Sequence, residues 1–359
     1  MLSGDASKHI EALRRSPCFY FIVFAASTLT STIPGITAAG PSPEATLYTP
    51  TLDVEYLVAG RPLTLDVIPV TPEGIPTPAL VTRAALSLVK DARILVVNAG
   101  LRYEPRVPVA VLPSRRVGGR IDEGDALPRG TARRLYEEAR LLAHMLARAG
   151  TALVVGETIP AGTTTALAIL EALGYRALGR VSSSMPNNPH GLKEGVVRRA
   201  LSRLRGSEDV FERIDSVGDP LHVSVAGFVT GALESGASVI LAGGTQMVSV
   251  LGILARLGVD TGSVAVATTR WLVEDPTSDI AGLLREVSPH TPLIASMLSF
   301  GDAPFEGLRA YERGYVKEGV GMGGAVLAAL VRGGASLEEV KRRVYDEYSR
   351  VTSLGASRG

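Results

Sequence analysis

The chain has 359 residues, of which 46% are hydrophobic and 20% are charged, a composition typical of a globular protein with a sizeable core. The formal net charge of +1 argues against a general nucleic-acid binder, and a single cysteine excludes an internal disulfide. The five histidines are scattered, with no pair at metal-ligand spacing, so we expect no metal and no cofactor.

The first apolar run, 18–26, follows Arg14 and Arg15 and superficially resembles a signal peptide. The run is short and rich in β-branched and aromatic residues, which favours a buried parallel strand instead. No segment is long and apolar enough to span a bilayer. We therefore expect a cytoplasmic protein with no membrane partner.

Hydrophobic periodicity divides the first half of the chain into alternating elements. Predicted strands are 19–26, 60–72 and 93–98, and predicted helices are 3–15, 76–88 and 131–149. A long Gly/Pro/Thr-rich stretch, 34–50, lies between them and contains P-S-P-E-A-T at 41–46. Ordered loops of this length tend to be functional.

The second half continues the alternation. Predicted strands are 152–155, 237–242, 263–268 and 291–296, and predicted helices are 166–173, 193–204, 247–257 and 336–351. Ser336 and Glu339 form a capping box at the start of the last helix. The pattern predicts an α/β fold with a doubly wound, mostly parallel sheet and helices on both faces. We expect a main Rossmann-like domain over 16–330 and a small helical lobe from 1–15 and 331–359.

One acidic residue, Glu318, stands directly before the glycines of G-V-G-M-G-G, followed by an apolar segment that reads as a helix. Glycines let a backbone approach a ligand closely, and a helix start offers free N–H groups to a phosphate. The pattern suggests an acid or base beside a phosphate cradle. A tight turn before a buried helix, with Glu318 in solvent, explains the same residues, because short glycine runs are weak signals.

Two further loops follow predicted strands. G-E-T-I-P-A-G-T-T-T occupies 156–165 and A-G-G-T occupies 242–245. Ligands in such sheets bind at the carboxyl ends of strands, so these loops and the Glu318 segment are expected to converge on one cleft. Lys193, at a helix start, is a candidate phosphate ligand, although a solvated lysine fits the sequence equally well.

These ordered motifs, together with G-R at 179–180, V-A-G-F at 225–228 and K-E-G-V-G-M-G-G-A at 317–325, resemble the nicotinate-nucleotide–dimethylbenzimidazole phosphoribosyltransferase family. The resemblance extends from about residue 20 to residue 330 and is closest to a divergent archaeal branch. It implies transfer of phosphoribose from nicotinate mononucleotide to a benzimidazole-like base, giving an α-ribazole phosphate for cobamide (vitamin B12-type) synthesis. It also implies a homodimer that binds only small molecules.

The resemblance implies a role for individual residues. Glu318 matches the family's general base, Glu157 matches a ribose ligand, and Lys193 matches a phosphate ligand. Glu44 and Thr46, in the P-S-P-E-A-T run, match the acceptor-base side. The other residues placed around the nucleotide and its phosphate are Gly156, Gly162, Thr163, Thr164, Ser182, Ser183, Gly244, Thr245, Gly319, Gly321, Gly323 and Gly324.

The chain also departs from the family pattern. Thr163 replaces an asparagine, G-R-V-S-S-S replaces a G-R-G-T-G loop, and F-A-A-S-T at 24–28 replaces an A-G-D-H-G turn. These changes lie where the base and the phosphate would bind, so they bear on the substrates more than on the fold. A transferase or hydrolase of another nucleotide, or a non-catalytic nucleotide-binding protein, stays open as an alternative.

Overall fold

A computed structural model describes residues 4–71, 73–204 and 206–356. Within them, seven strands form one sheet in which every pair is parallel. The strands are β1 (Phe19–Ala26), β2 (Ala92–Gly100), β3 (Ala110–Val111), β4 (Ala152–Thr158), β5 (Ser238–Ala242), β6 (Val264–Thr269) and β7 (Leu293–Ser296). Their spatial order is β3-β2-β1-β4-β5-β6-β7. The predicted doubly wound fold is confirmed.

Helices connect the strands and cover both faces of the sheet. They are α1 (Ser7–Arg15), α2 (Thr49–Ala59), α3 (Pro78–Leu86), α4 (Thr131–Leu146), α5 (Gly162–Ala172), α6 (His190–Leu201), α7 (Val210–Val217), α8 (Pro220–Glu234), α9 (Thr245–Arg256), α10 (Arg270–Val273), α11 (Ile280–Val287), α12 (Glu306–Arg309), α13 (Met322–Val331) and α14 (Leu337–Ala356). Among the described residues, none of these helices has both the length and the hydropathy that crossing a membrane requires.

The core lies in two apolar layers, one on each face of the sheet. Alternate residues of β1 divide between them, with Ile22 and Phe24 in the layer under α4, α5, α8 and α9. Phe21 and Val23 point into the opposite layer, under α2, α3 and α13. A strand buried on both faces is apolar throughout, which is why the run 19–26 lacks polar alternation.

The strand order reverses at β1, because the chain builds outward through β2 on one side and through β4 on the other. In such sheets the crevice at the reversal, at the carboxyl ends of the strands, is the usual ligand site. Gly156 of β4 lies against the loop before α13, where a Cβ atom on it would meet the Cα of Gly321 at 2.9 Å. The Glu318 segment therefore packs directly onto the end of β4.

One predicted strand is wrong. Residues 60–71 form bends and one isolated bridge, from Val70 to Pro76, rather than a strand, and Pro72, at the end of the predicted range, lies outside the described residues. The amide groups of Leu63 and Thr64 donate to the Glu55 carboxylate at 2.7 and 2.8 Å. Because a side chain satisfies these donors, the segment needs no neighbouring strand, despite its alternating sequence.

The two terminal helices pack on the main sheet. Leu13 of α1 and Val340 and Val344 of α14 join the apolar layer that contains Phe21. The predicted capping box of α14 is confirmed, with Glu339 N donating to Ser336 Oγ at 3.2 Å and Ser336 N donating to the Glu339 carboxylate at 2.7 Å. Residues 1–3 and 357–359 of the expected terminal lobe lie outside the described residues, and the separation of that lobe from 16–330 stays a prediction.

Candidate active site

Strained backbone conformations are concentrated in two loops of the candidate site. Four non-glycine residues have positive φ among those described: Ala161 at 62°, Val316 at 65°, Lys317 at 60° and Val320 at 50°. All four lie in the loops that follow β4 and precede α13. Strained residues of this kind persist only where the surroundings hold them, and they cluster at functional sites. Here Val320 N donates to Glu157 O at 2.9 Å, which ties the two loops together.

Glu318 lies inside the strained loop, half-buried, at the start of α13. Its carboxylate accepts hydrogen bonds from the amide groups of Gly319 and Gly323, both at 3.2 Å, and Thr268 Oγ1 lies 3.5 Å from its Oε2. Burial raises the pKa of Glu318 to about 8, although the amide groups oppose the shift, and the Glu157 charge raises it further. The interpretation of Glu318 as an ordinary solvated side chain is therefore wrong. A carboxyl group with this pKa exchanges a proton near neutral pH.

The glycines after Glu318 are required by close packing. A Cβ atom on Gly323 would lie 2.3 Å from the carbonyl carbon of Thr268, and one on Gly324 would lie 2.4 Å from the Ala242 side chain. Both approaches are too close for any larger residue. The helix start is thereby pressed against the carboxyl ends of β5 and β6, which orients its free amide groups into the crevice.

Glu157, near the end of β4, is the second buried carboxylate. Only 3% of it is exposed, and Gln246 Nε2 donates to its Oε1 at 2.5 Å. Burial raises its pKa to about 7. Among the described residues no side chain other than Gln246 is hydrogen-bonded to this carboxylate, so its second oxygen can accept from a ligand.

Lys193 is completely buried, so the interpretation of a solvated lysine is wrong. Its ammonium group donates to Thr163 Oγ1 at 2.7 Å and to Ser182 O at 2.5 Å. Thr245 Oγ1 in turn accepts from Ser182 N at 3.1 Å. The structure therefore brings together four predicted phosphate residues that are spread over some eighty positions of the sequence. Burial lowers the pKa of Lys193 to about 7, and the nearby Lys317 lowers it further.

A second buried lysine lies next to this group. Lys317 pairs with Asp275 at 2.6 Å and also donates to Asn188 Oδ1 at 3.2 Å. Ser183, another predicted phosphate residue, donates to the same Asn188 oxygen at 2.7 Å. Ser183 is thus engaged with Asn188, one step away from the Lys193 group. Because Lys317 is already neutralised by Asp275, Lys193 is the cation with more capacity for an anion.

The structure places the remaining predicted residues in two ways. Gly162 and Thr164 lie buried in the first turn of α5, and Gly244 caps the start of α9 beside the Gln246 amide. Thr46 is buried, and its hydroxyl lies 2.7 Å from Ser31 Oγ in the loop after β1. Glu44 is exposed, and its carboxylate accepts from Ser42 Oγ at 3.2 Å; no described hydrogen bond joins it to Glu157 or Glu318.

Several polar residues of the site were missed by sequence reasoning. Asp53 of α2 is buried and accepts from Thr77 at 2.5 Å and from Thr158 at 2.8 Å. Burial raises its pKa to about 6, and its charge in turn raises the pKa of Glu157. Gln246 and Thr268 were also overlooked. The one signal available was their position just after strands, at the carboxyl edge of the sheet.

Another missed group is the pair Asp219 and His222 at the start of α8. The two side chains are fully buried and are joined by a contact of 2.5 Å between His222 Nδ1 and Asp219 Oδ2. Asp219 caps the helix through the amide groups of Leu221 and His222. The sequence signal was an aspartate directly before a proline, which is typical of a helix start. Within the described ranges, no group of three or more His, Cys, Asp or Glu residues is arranged to hold a metal ion.

Known proteins similar to this chain support the assignment that the motifs suggested. A family model described as "Phosphoribosyltransferase" matches residues 81–269. The UPF0284 protein of Aeropyrum pernix is 56% identical over 328 residues, covering 90% of this chain and 91% of that protein. The UPF0284 protein of Pyrococcus furiosus is 44% identical over 341 residues, covering 93% of this chain and 99% of that protein.

Two solved structures share the fold. CobT from Thermus thermophilus superposes with a TM-score of 0.62 at 18% identity, covering 93% of this chain and 88% of that one. A structure described as nicotinate-nucleotide–dimethylbenzimidazole phosphoribosyltransferase, from the same organism, gives a TM-score of 0.57 at 19% identity, covering 91% and 86%. The resemblance inferred from the motifs is confirmed. The chain is homologous to the UPF0284 proteins. It belongs to this phosphoribosyltransferase family and is an enzyme of the pentosyltransferase class.

Proposed function

We propose that the enzyme transfers phosphoribose from nicotinate mononucleotide to a benzimidazole-like base, forming an α-ribazole phosphate for cobamide synthesis. The observation that carries the proposal is Glu318, a carboxyl group of raised pKa in a strained glycine-rich loop at the strand-order reversal. The reaction needs one proton acceptor of this kind and little else, because a pyridinium is already a good leaving group.

The chemistry follows from the positions of the carboxylates. One ring nitrogen of the acceptor attacks C1′ of the ribose, and the C1′–N bond to nicotinate breaks with its electron pair returning to the pyridine ring. The partner nitrogen of the acceptor loses its proton to Glu318. Since attack comes from the face opposite to the leaving group, the anomeric carbon is inverted from β to α. A base with a pKa of about 8 is well matched to this transfer at neutral pH.

The other predicted residues then have distinct tasks. Glu157 accepts from the ribose hydroxyls and, when ionised, stabilises the positive charge that develops on the ribose ring. Lys193, with Thr163, Ser182 and Thr245 around it, holds the phosphate. Glu44 and Thr46 remain proposed for the acceptor side, where Thr46 is buried and Glu44 is exposed.

The remaining predictions belong to the same proposal. We expect a cytoplasmic homodimer that binds small molecules and no nucleic acid, as the family resemblance implies. Thr163 and Ser182, two of the departures from the family pattern, contact Lys193, so they bear on how the phosphate is bound. Another nucleotide donor, or a binding role without turnover, is an outcome that the following experiment separates.

The test is incubation of the purified protein with nicotinate mononucleotide and a panel of benzimidazoles, purines and phenols. Released nicotinate and the new nucleotide are measured by chromatography. We expect base-dependent release that falls by about 10²- to 10⁴-fold in Glu318→Gln, the range for loss of a general base. Glu11→Gln, an exposed carboxylate of α1, is the matched control and should leave release unchanged.

Each outcome has a separate meaning. Release that depends on a base and on Glu318 supports the proposal and names the acceptor. Binding of nicotinate mononucleotide by calorimetry, without release for any base, moves the function to a different acceptor or to nucleotide binding. Release that survives in Glu318→Gln contradicts the role of Glu318 while leaving the transfer itself in place.

A further inference from the structure

The buried pair Asp219 and His222 has no role in the chemistry proposed above. His222 is fully buried, yet its Nε2 has no hydrogen-bond partner. Its other ring nitrogen, Nδ1, is fixed by Asp219 Oδ2 at 2.5 Å, and the same oxygen accepts from Thr165 Oγ1 at 2.5 Å. Because a carboxylate only accepts, Nδ1 carries the proton, and the ring is held in one orientation with Nε2 bare.

The position of the ring connects it to the crevice. α8 begins at the carboxyl edge of the sheet, where Pro220 lies 3.1 Å from the place of a Cβ atom on Gly100, the last residue of β2. The Cε1 atom of His222, next to Nε2, lies 3.8 Å from the place of a Cβ atom on Gly162. Gly162 starts α5, directly after the short loop that follows β4, the strand that carries Glu157. The free edge of the imidazole thus lies alongside the predicted nucleotide loop.

The charges around the ring favour a cationic imidazole. Burial is the largest single influence and lowers the pKa of His222, but the charge of Asp219, the hydrogen bond to Asp219 and the charge of Glu157 together raise the pKa overall. An imidazolium buried without an acceptor at Nε2 is costly. The site is therefore incomplete until an oxygen of a ligand accepts from Nε2.

His9 shows what a structural histidine looks like in the same molecule. It too is buried, with Nδ1 at 3.3 Å from Ser238 Oγ and Nε2 without a partner. It lies at the opposite edge of the sheet, beside the first residue of β5, and burial lowers its pKa to about 4. His9 is neutral at physiological pH, and a bare lone pair on a neutral ring costs much less than a bare N–H on a cation.

We propose that the Asp219–His222 pair binds the sugar of the donor. Nε2–H of His222 donates a hydrogen bond to a ribose hydroxyl oxygen, and that hydroxyl group in turn donates a hydrogen bond to the Glu157 carboxylate. A hydroxyl group suits this place because it both accepts and donates. A phosphate does not, since the carboxylates of Asp219 and Glu157 would repel it, while Lys193 already offers it a cation. The inference rests on the proposed function for the identity of the donor, but the sugar class can be tested by itself.

The test compares two substitutions that split the imidazole into its two halves. His222→Asn keeps an amide at the place of Nδ1, so the bond to Asp219 survives while the donor at Nε2 is lost. His222→Gln places an amide donor near Nε2 and gives up the bond to Asp219. Calorimetry measures binding of ribose 5-phosphate and of its 2-deoxy and 3-deoxy analogues, and steady-state kinetics measure KM and kcat for nicotinate mononucleotide.

We expect the wild type to bind ribose 5-phosphate about 10- to 100-fold more tightly than one of the deoxy sugars, the range for a hydrogen bond to a charged group. His222→Asn should lose that preference and raise KM by a similar factor, His222→Gln should retain part of it, and the control His9→Asn should retain all of it. A folded His222→Asn with the full preference and unchanged KM overturns the proposal.

Two further outcomes keep this inference separate from the proposed function. If the wild type releases no nicotinate but shows a ribose preference that depends on His222, the transfer reaction fails and the sugar site stands. If both His222 variants unfold, the ¹⁵N resonance of Nε2 in labelled wild type decides: a shift with ribose 5-phosphate and not with the deoxy sugar supports the site. An identical response to both sugars contradicts it.

Discussion

The ion pair of Arg332 at the amino edge of the sheet contrasts with the carboxylates at the carboxyl edge. At the amino edge, Arg332 donates to the carbonyl groups of Leu13 and Ser16 and pairs with Asp91, so each of these groups has a partner. At the carboxyl edge, the buried Glu157 and the half-buried Glu318 have raised pKa values, and the described hydrogen bonds to their carboxylates come from neutral donors. The first arrangement stabilises the fold, and the second stores a cost that a ligand relieves.

The comparison shows that position decides the role of a side chain more than its type. His9 and His222 are equally buried, and each has a bare Nε2, but one faces a serine and the other an aspartate. The pKa of the first is lowered and that of the second is raised. All four described non-glycine residues with positive φ also lie at the carboxyl edge, so backbone strain follows the same division.

The largest effect that tests this division is expected for Lys193→Met. Methionine fills the buried space without charge, so the affinity for a phosphate-bearing donor should fall, raising KM about 10- to 100-fold. The wild-type KM should also rise with pH above 7, because burial lowers the pKa of Lys193 to about 7 and the neutral amine binds phosphate poorly. Steady-state kinetics between about pH 6 and pH 9, a range that spans this pKa, measure both effects.

Nicotinate riboside, which has no phosphate, provides the internal control. With it, Lys193→Met should match the wild type, whereas an equal loss for riboside and nucleotide would assign Lys193 a purely structural role. Lys8→Met removes an exposed lysine at the amino edge and should change neither KM. If it did, the two edges would not be functionally separate.

The unfavourable burial of the Glu318 carboxylate at the carboxyl edge predicts a smaller effect, which is on the free energy of unfolding. Because the pKa of Glu318 is about 8 in the folded protein against an ordinary value of 4.5, between these pH values the folded state holds a proton that the unfolded state has lost. The contribution of Glu318 to the free energy of unfolding is fully present below pH 4.5 and is lost as the pH rises through about 8. Glu318→Gln, which lacks this loss, should resemble the wild type at low pH and be more stable at alkaline pH.

Thermal unfolding checks this expectation, with a gain in Tm of about 1 °C per kcal/mol for a chain of 359 residues. The same substitution should lower turnover by about 10²- to 10⁴-fold, so stability and activity move in opposite directions at one residue. Glu11→Gln, at the exposed amino-edge helix, should show no such pH-dependent gain. A Glu318→Gln protein that is less stable than wild type at alkaline pH would show that the carboxylate is net stabilising and would remove the contrast between the edges.

The sequence predicted the sheet and the loops 156–165 and 242–245, because strands and glycine-rich loops can be recognised from a few neighbouring residues. Apolar runs mark strands buried on both faces, and glycine-rich loops after strands mark the carboxyl edge. The alternating run at 60–72 had the same local signal as a strand but bonds a side chain instead, so it was misread. Local pattern does not report whether a neighbouring strand exists.

The residues missed by sequence reasoning share a different property. Gln246 reaches Glu157 from 89 positions away, and Asp219 accepts from Thr165 across 54. No periodicity or spacing links such partners, since only the folded sheet brings their loops together. The burial of Lys193 was equally invisible, because it depends on Thr163 and Ser182 of two other loops.

The smallest expected effect concerns His9, the counterpart of Glu318 at the amino edge. Its pKa is about 4 in the folded protein against an ordinary value of 6.5, so between these pH values the unfolded state binds a proton that the folded state does not. Stability is therefore lost as the pH falls from 6.5 towards 4, the reverse of the alkaline loss at Glu318. His9→Asn cannot take up that proton and should lose less stability over this range.

Urea unfolding at several acidic pH values measures this difference, and the exposed His144→Asn serves as the matched control that should follow the wild type. Turnover should be unchanged in both variants, because neither side chain lies at the carboxyl edge. An acid response of His9→Asn equal to that of the wild type would mean that His9 is protonated in the folded protein. The two buried histidines would then be alike in charge, and the free Nε2 of His222 would no longer be distinguished by its electrostatic setting.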